Sequence, residues 1–345
     1  MSADPRVREV PLDDAHWDWG DAAPVHTEHL GRPCIALETP IATVAGVALE
    51  DGVIELDLAV TVQRGFHGVV WRLVDGDNFE SFFVRPHQMG NPDAVQYTPV
   101  FNDISAWQLY HGPGFWAPLE FPLGEWFTIR VGFQGSQAEM FVAGSPEPGV
   151  VIRELKRPTA AGAIGIMAGS PAIHVARFAY GTEATLRAPL PPAPTPRAGV
   201  IADWLVSDAF PEALLGDSAA LPPDLVAART WTALQAEPTG LVDLARVNGI
   251  SDGRDTALAR TTIHAATAGM RPLELGFSDR AVVYLNGQAL YRGDDTYRSR
   301  DYRFLGSIGW YDTLFLPLAA GPNDLVIAVS EDFGGWGVQA RLTDA

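Results

Sequence analysis

Hydrophobic and polar residues alternate with a period of two in many short segments of this chain. In the segment 53–60, Val-Ile-Glu-Leu-Asp-Leu-Ala-Val, apolar residues fall on one side and the two carboxylates on the other, which is typical of a half-buried strand. Similar segments follow at 66–74, 79–84, 95–101, 107–110, 126–133, 139–142, 163–167 and 174–178. Their close spacing, with glycine and proline between them and no long amphipathic helix, predicts an antiparallel sandwich or jelly roll.

The second half of the chain repeats this pattern after a different opening. Strands are predicted at 256–265, 273–277, 281–285, 288–291, 313–318, 324–330 and 337–342, whereas 241–246 fits either a strand or a single turn. Two dipeptides, Asp75-Gly76 and Asn286-Gly287, lie between apolar runs and predict hairpins.

A proline-rich segment separates the two halves. Residues 189–196 contain five prolines, which make a stiff and extended spacer. We therefore predict an all-β protein with two antiparallel β-sandwich (jelly-roll) domains. The first covers residues 1–186, the proline-rich linker 187–198 and the second domain 199–345.

Composition and charge exclude several classes of function. The 345 residues are 47% hydrophobic, enough for sizeable cores, and carry a formal net charge of −18. Binding to nucleic acid or to an anionic membrane needs clustered basic residues, so we expect neither partner. The N-terminus lacks the pattern of a secretory signal, and no apolar run is long enough for a membrane span. The sequence accordingly predicts a soluble, cytoplasmic protein.

The first half resembles the concanavalin A-like lectin/glucanase superfamily, particularly its laminin-G-like and 3-keto-disaccharide-hydrolase-like branches. The matching segments are GVIELD at 52–57, GVVWR at 68–72, DGDNF at 75–79, GEWFTIR at 124–130 and GAIGI at 162–166. The resemblance implies a sandwich that either binds or hydrolyses carbohydrate. Glu55 and Asp57 match two carboxylates of the glucanase strand motif, but no third follows. Retaining hydrolysis therefore lacks its signature.

The second half resembles the galactose-binding-like jelly rolls that accompany β-galactosidases and other glycan-active proteins. The resemblance rests on VVYLNG at 282–287 and GPNDLVI at 321–327. In such domains the Asn-Gly hairpin is an element of the fold and not a binding site.

The stretch 79–114 is dense in planar and hydrogen-bonding side chains. Saccharides are bound by aromatic rings and by polar side chains that reach their hydroxyl groups. We expect one face of this sheet in a core and the other open to a saccharide or glycoside. The predicted ligand-binding residues are Arg85, His87, Gln88, Asn91, Gln96, Tyr97, Trp107, Gln108 and Tyr110. A polar network that only fixes long loops is the alternative.

Catalysis is a second hypothesis for the same stretch. Glu80, His87 and His111 are candidate acid or base residues of a non-classical glycoside hydrolase or lyase. A cross-strand ion pair between Glu80 and Arg72 is the favoured explanation of that glutamate. No His or Cys spacing predicts a metal site, and we expect no cofactor. Asp75, Asp77 and Asn78 offer oxygens for Ca²⁺, but the hairpin turn explains them fully.

Two charged and aromatic loops in the second half, 293–303 and 330–337, supply further candidates. Arginine alternating with aspartate usually means salt bridges inside a loop. The alternative is that Arg298, Arg300 and Trp336 bind ligand.

The leading hypothesis for the function of the chain is carbohydrate recognition, with an enzyme as the first alternative. A structural or assembly module without a small ligand, expected to be a homo-oligomer, is the second.

Overall fold

The computed structural model describes residues 7–216 and 218–343. Nearly all of the regular structure is strand, as predicted. The helical elements are short: the 3₁₀ turns Pro86–Gln88, Glu212–Leu215 and Leu244–Arg246, and the helix α1, Pro223–Ala227. Within the described ranges, these helices have neither the length nor the apolar character needed to cross a bilayer.

Contacts divide the chain into two units. The first consists of the residues up to Val100 together with Tyr110–Ala193, and the second of Phe101–Leu109 together with the residues from Pro194. The boundary at Pro194 lies inside the predicted linker. The segment Phe101–Leu109, which the sequence suggested for the first domain, is instead part of the second unit. The reason is apolar packing, because Phe101 and Ile104 are buried in the second unit's core.

The first unit is a sandwich of two antiparallel sheets. One sheet has the order β14-β13-β12-β6-β16-β4-β3 with β1 beside β16, and the other β9-β8-β7-β15-β5-β2 with β11 beside β9. The strands are β1 Arg8–Val10, β2 Trp17–Asp18, β3 Val25–His29, β4 Arg32–Leu37, β5 Ala42–Leu49, β6 Gly52–Ala59, β7 His67–Asp75, β8 Asn78–Val84, β9 Val95–Phe101, β11 Trp116–Ala117, β12 Trp126–Gln134, β13 Gln137–Val142, β14 Val150–Ile152, β15 Gly162–Met167 and β16 Ile173–Gly181; β10, Ile104–Ser105, lies in the segment Phe101–Leu109.

Strands β8 and β9 do not have an open face. Every residue of β9 is buried, as is every residue of β8 after Asn78. The side chains of Phe82 and Val84 enter the main core, and Phe79 packs in a second apolar cluster with Val70 and Val100. The expectation that these strands present a polar face to solvent is therefore wrong. Polar residues on them must find partners inside the protein.

The second unit also contains two antiparallel sheets. Their orders are β18-β17-β20-β25-β22-β23 and β19-β26-β21-β24. The strands are β17 Asp203–Ser207, β18 Trp231–Gln235, β19 Leu241–Asp243, β20 Thr256–Ala265, β21 Gly269–Ser278, β22 Arg280–Leu285, β23 Gln288–Asp294, β24 Asp312–Leu318, β25 Gly321–Ser330 and β26 Gly337–Leu342. Residues from both sheets, including Leu275, Ile327 and Val338, form one core.

Local predictions had different outcomes. The Asn286-Gly287 hairpin is confirmed between β22 and β23, with both residues at positive φ. The segment 241–246 contains both a strand and a turn, since the strand β19 runs directly into a 3₁₀ turn. The strand predicted at 107–110 is wrong, because these residues form a turn. The side-chain alternation inferred for Trp107 and its neighbours fails with it.

Candidate functional site

Three aromatic side chains come together on loops of the second unit. The Phe333 ring lies 6.1 Å from the Trp107 ring and 6.1 Å from the Tyr297 ring, measured between centroids. Phe333 is 51% exposed and Tyr297 39%, and Trp107 is partly exposed. We call these three residues the aromatic platform. Large apolar side chains gathered at a surface, and not scattered singly, indicate an interaction site.

Trp107 is positioned by the residue that follows it. The backbone N–H of Gln108 donates to the Gly334 carbonyl at 2.8 Å, and its carbonyl accepts from the Ile308 N–H at 2.9 Å. The Gln108 side-chain amide donates to the Leu305 carbonyl at 2.8 Å. Gln108 therefore joins the segment Phe101–Leu109 to two loops of the second unit, one of which carries Phe333.

Two glycines make this arrangement sterically possible. A Cβ at Gly334 would lie 2.4 Å from Gln108 Oε1, and one at Gly306 would lie 2.2 Å from Gln108 Nε2. Both glycines also have positive φ, 104° and 76°, a region that favours glycine. The absence of a side chain at Gly306 and Gly334 thus leaves space for Gln108.

Two buried carboxylates anchor the loop that bears Phe333. Asp279 Oδ2 accepts the Asp332 N–H at 3.0 Å, and Glu331 Oε1 accepts the Gly335 N–H at 3.0 Å. Asp279 and Glu331 are 0% and 1% exposed. These bonds hold the loop backbone on both sides of Phe333, so the exposed ring is carried by a fixed support.

Ser278 connects the same loop to Gln108. Its hydroxyl lies 3.2 Å from Gln108 Oε1 and 3.4 Å from Glu331 Oε2. One hydroxyl proton shared between two acceptors orders both. The segment that carries Trp107 and the loop that carries Phe333 are thus tied through one buried side chain.

The carboxylates under the platform hold protons unusually well. Burial raises the pKa of Asp279 to about 6, and the nearby Asp332 charge adds to this effect. Burial and then the Asp279 charge raise the pKa of Glu331 well above its ordinary value. Asp279 Oδ1 is buried and has no hydrogen-bond partner among the described residues. Two neighbouring buried carboxylates resist ionising together, so this pair gives up its protons at a higher pH than isolated carboxyl groups do.

Arg280 binds the loop from the solvent side. Its guanidinium pairs with both Asp332 oxygens, at 2.7 and 2.9 Å, and with Glu212 at 2.9 Å. Bidentate pairing of this kind fixes orientation as well as charge. Across the described residues, no group of three or more His, Cys, Asp and Glu side chains is arranged to hold a metal ion.

The other second-half candidates have separate positions. The Arg298 guanidinium carbon lies 4.8 Å from the centroid of the Tyr297 ring, at the edge of the platform. Arg300 pairs with Asp295 and, at 2.6 Å, with Asp312, so salt bridges do order this loop. Trp336 is 0% exposed and its indole N–H donates to the Val329 carbonyl at 3.0 Å. It is a core residue that a ligand cannot contact.

Glu80 lies in an interior network of the first unit. Its two oxygens accept from the Tyr97 hydroxyl at 2.7 Å and from the Arg157 N–H at 3.0 Å. The Tyr97 hydroxyl in turn accepts the Lys156 N–H at 2.8 Å. Burial raises the pKa of Glu80, and these hydrogen bonds oppose the effect. The network fastens the chain at 156–157 to strands β8 and β9.

The predicted ion pair between Glu80 and Arg72 is not formed. Arg72 donates to the Glu50 carbonyl at 2.9 Å and to the Gly135 carbonyl at 2.6 Å, and it lies 3.4 Å from Asp51. The register explains this, because Trp71 stands opposite Glu80 and pairing is interrupted after it. Arg72 therefore bonds groups other than Glu80.

The remaining first-half candidates separate into three groups. Gln96 and Tyr110 are buried together with Tyr97, at 3%, 2% and 0% exposure. His111 lies beside Trp116, at 5.8 Å between ring centroids. The four residues brought together at one turn are Arg85, His87, Gln88 and Asn91, around the 3₁₀ turn Pro86–Gln88.

Sequence reasoning missed two residues of the platform. Phe333 and Tyr297 lie in the charged and aromatic loops 330–337 and 293–303, whereas the residues predicted from these loops are Trp336, Arg298 and Arg300. The Gly334-Gly335 pair beside Phe333 was the available signal, since adjacent glycines often allow a loop to present its neighbour. The proximity of Trp107 had no signal in the local sequence.

Comparisons with known proteins give only weak similarities. No family model and no curated protein sequence matches the chain. Among solved structures, the carbohydrate-binding module CBM66 from Bacillus subtilis is 10% identical, with a TM-score of 0.32, over 48% of this chain and 92% of that one. The galectin LEC-6 of Caenorhabditis elegans is 16% identical, with a TM-score of 0.31, over 49% and 98%. A family 35 carbohydrate-binding module from an environmental isolate is 22% identical, with a TM-score of 0.20, over 26% and 67%. At these identities and TM-scores, the similarities carry no argument about what this chain binds.

Proposed function

We propose that this chain recognises carbohydrate and that the aromatic platform of the second unit is its binding surface. The observation that carries the proposal is the contact of three solvent-reaching rings, Trp107, Tyr297 and Phe333, on loops fixed by buried hydrogen bonds. The C–H faces of a sugar ring pack on such rings, and a rigid support lowers the entropy lost on binding.

Polar groups beside the rings suit the hydroxyl groups of a saccharide. The Arg298 guanidinium borders Tyr297, and no carboxylate partner is found for it in the described ranges. The Asp332 carboxylate is held next to Phe333 by Arg280. Donors and acceptors at the rim of an apolar surface give orientation and selectivity, while the rings supply contact area.

The accessible residues of the first unit also remain candidates for saccharide contact. These are Arg85, His87, Gln88 and Asn91, whereas Gln96, Tyr97 and Tyr110 lie in the interior. We also propose that the two units belong to the concanavalin A-like and galactose-binding-like folds, respectively. The antiparallel sandwich in each unit supports these assignments.

A thermal-shift screen of the whole chain against neutral and acidic saccharides tests the proposal. A ligand that stabilises the wild type should stabilise Phe333→Ala much less. Tyr302→Ala is the matched control, because Tyr302 is 76% exposed in the same unit and lies beside Arg303. If a saccharide stabilises the Phe333 variant as well as the control, the platform is not the binding surface. Incubating the ligand with wild type and with Glu80→Gln then tests for turnover.

A further inference from the structure

A second region, in the first unit, gathers basic side chains around one aromatic ring. The centroid of the Phe66 ring lies 5.7 Å from the guanidinium carbon of Arg64 and 5.4 Å from that of Arg85. The His87 ring centroid is 5.6 Å away. We call these four residues the basic cluster. Arg64 is exposed and the other three are half-buried, so a ligand can reach the cluster from solvent.

The two loops that form the basic cluster are held in place by backbone hydrogen bonds. The Arg85 N–H donates to the Ala94 carbonyl and the Gln88 N–H to the Arg85 carbonyl, both at 2.8 Å. The Gly65 N–H donates to His87 Nδ1 at 3.4 Å and so connects the first loop to the second. The cluster is therefore formed before any ligand arrives.

The charge of the basic cluster is only partly compensated. Asp93 forms an ion pair with Arg85, whereas Arg64 has no carboxylate partner among the described residues. Burial, followed by the charges of Arg85 and Arg64, lowers the pKa of His87, and Asp93 opposes this. A local excess of positive charge in a protein of net charge −18 indicates a site for an anionic group.

The hydrogen bond to His87 defines which ring nitrogen can donate a hydrogen bond. Because Nδ1 accepts from the Gly65 N–H, the proton of the neutral ring is on Nε2. That N–H can donate to an anionic oxygen, and the Phe66 ring offers an apolar surface beside it. We propose that the basic cluster binds a saccharide carrying a carboxylate or sulfate group, with Arg64 and His87 at the anion and Phe66 against the sugar ring.

The site predicts a definite pH dependence. The charged and titratable groups that act on His87 are Arg64, Arg85, Asp93 and His67. A bound anion favours the protonated imidazole, and the pKa of His87 lies below its ordinary value of 6.5, so affinity should be nearly constant above about pH 7 and rise as the pH is lowered below about 6.5. This proposal does not rest on the aromatic platform, because the two sites lie in different units.

Isothermal titration of the whole chain tests the proposal, in a Phe333→Ala background that removes the platform. The probes are methyl glucuronoside, methyl glucoside and sodium sulfate at about 0.15 M salt, where distant charges are screened. We expect the glucuronoside to bind about tenfold more tightly than the glucoside, the size of one charge-assisted contact. Arg64→Gln should remove this difference. Arg8→Gln, which deletes a positive charge from the exposed residue beside Tyr180, should keep it.

Three results would overturn the proposal. Equal affinity for glucuronoside and glucoside would show that no anion is recognised. Equal effects of Arg64→Gln and Arg8→Gln would show that net charge, and not the basic cluster, is responsible. Sulfate that binds as tightly as the glucuronoside, with the same dependence on Arg64, would show that the sugar contributes nothing.

Discussion

The strands β8 and β9 of the first unit and the aromatic platform of the second contain the same kinds of side chain but use them in opposite ways. On the strands, Glu80 and Tyr97 are 0% exposed and bond to each other. On the platform, Phe333 is 51% exposed, above carboxylates that accept loop N–H groups. Aromatic and polar residues in a sheet covered on both faces stabilise the fold, whereas the same residues at loop tips are available to a ligand.

The largest expected effect is a loss of stability that differs between two tryptophans of the second unit. Trp336→Ala removes a fully buried ring from the core and should lower the free energy of unfolding by about 3–5 kcal/mol. Trp107→Ala should cost much less, because its ring is partly exposed. Urea denaturation of both variants provides the measurement. Equal losses would mean that Trp107 is a core residue and not part of a binding surface.

The buried carboxylates under the platform predict a pH dependence of stability. Asp279 keeps its proton to about pH 6 in the folded protein and releases it on unfolding. The free energy of unfolding should therefore fall as the pH rises from about 4 to about 6, by about 3 kcal/mol for this group. Asp279→Asn removes this titration. The free energy of unfolding of the variant, relative to that of the wild type, should therefore increase as the pH rises from about 4 to about 6. If the difference in free energy of unfolding between the variant and the wild type does not change with pH, Asp279 does not hold its proton in the folded protein.

A smaller effect is expected at the Glu80 network. Tyr97→Phe leaves Glu80 Oε2 and the Lys156 N–H without their shared partner, which should cost about 1–3 kcal/mol of unfolding free energy. Saccharide affinity should not change. Thermal denaturation and titration of the same sample measure both. Reduced saccharide affinity with unchanged stability would instead assign Tyr97 to a binding site.

The smallest effect on stability is expected at the platform itself. Phe333→Ala should change the free energy of unfolding by no more than about 0.5 kcal/mol, as is usual for exposed positions. Its affinity for a saccharide should nevertheless fall about tenfold. A large loss of stability would show that Phe333 supports the fold, and the comparison between strands and platform would then fail.

The sequence predicted local features better than it predicted the candidate site. The Asn286-Gly287 hairpin depends on two adjacent residues and was recognised directly. Whether Gln96 or Tyr97 reaches solvent depends on what covers the outer face of β9, and alternation along one strand does not contain that information. The position of Trp107 depends on Gly306 and Gly334, about two hundred residues further along the chain. Such contacts leave no periodic pattern.

The most direct test of the central claim is fluorine NMR of the chain labelled with fluorotryptophan. Its ten tryptophans report separately, and Trp107→Phe and Trp336→Phe identify two of the signals. Addition of a bound saccharide should shift the Trp107 signal most and leave the Trp336 signal unchanged. If the Trp107 signal does not move while a tryptophan of the first unit responds, saccharide binds elsewhere and the platform is not the recognition surface.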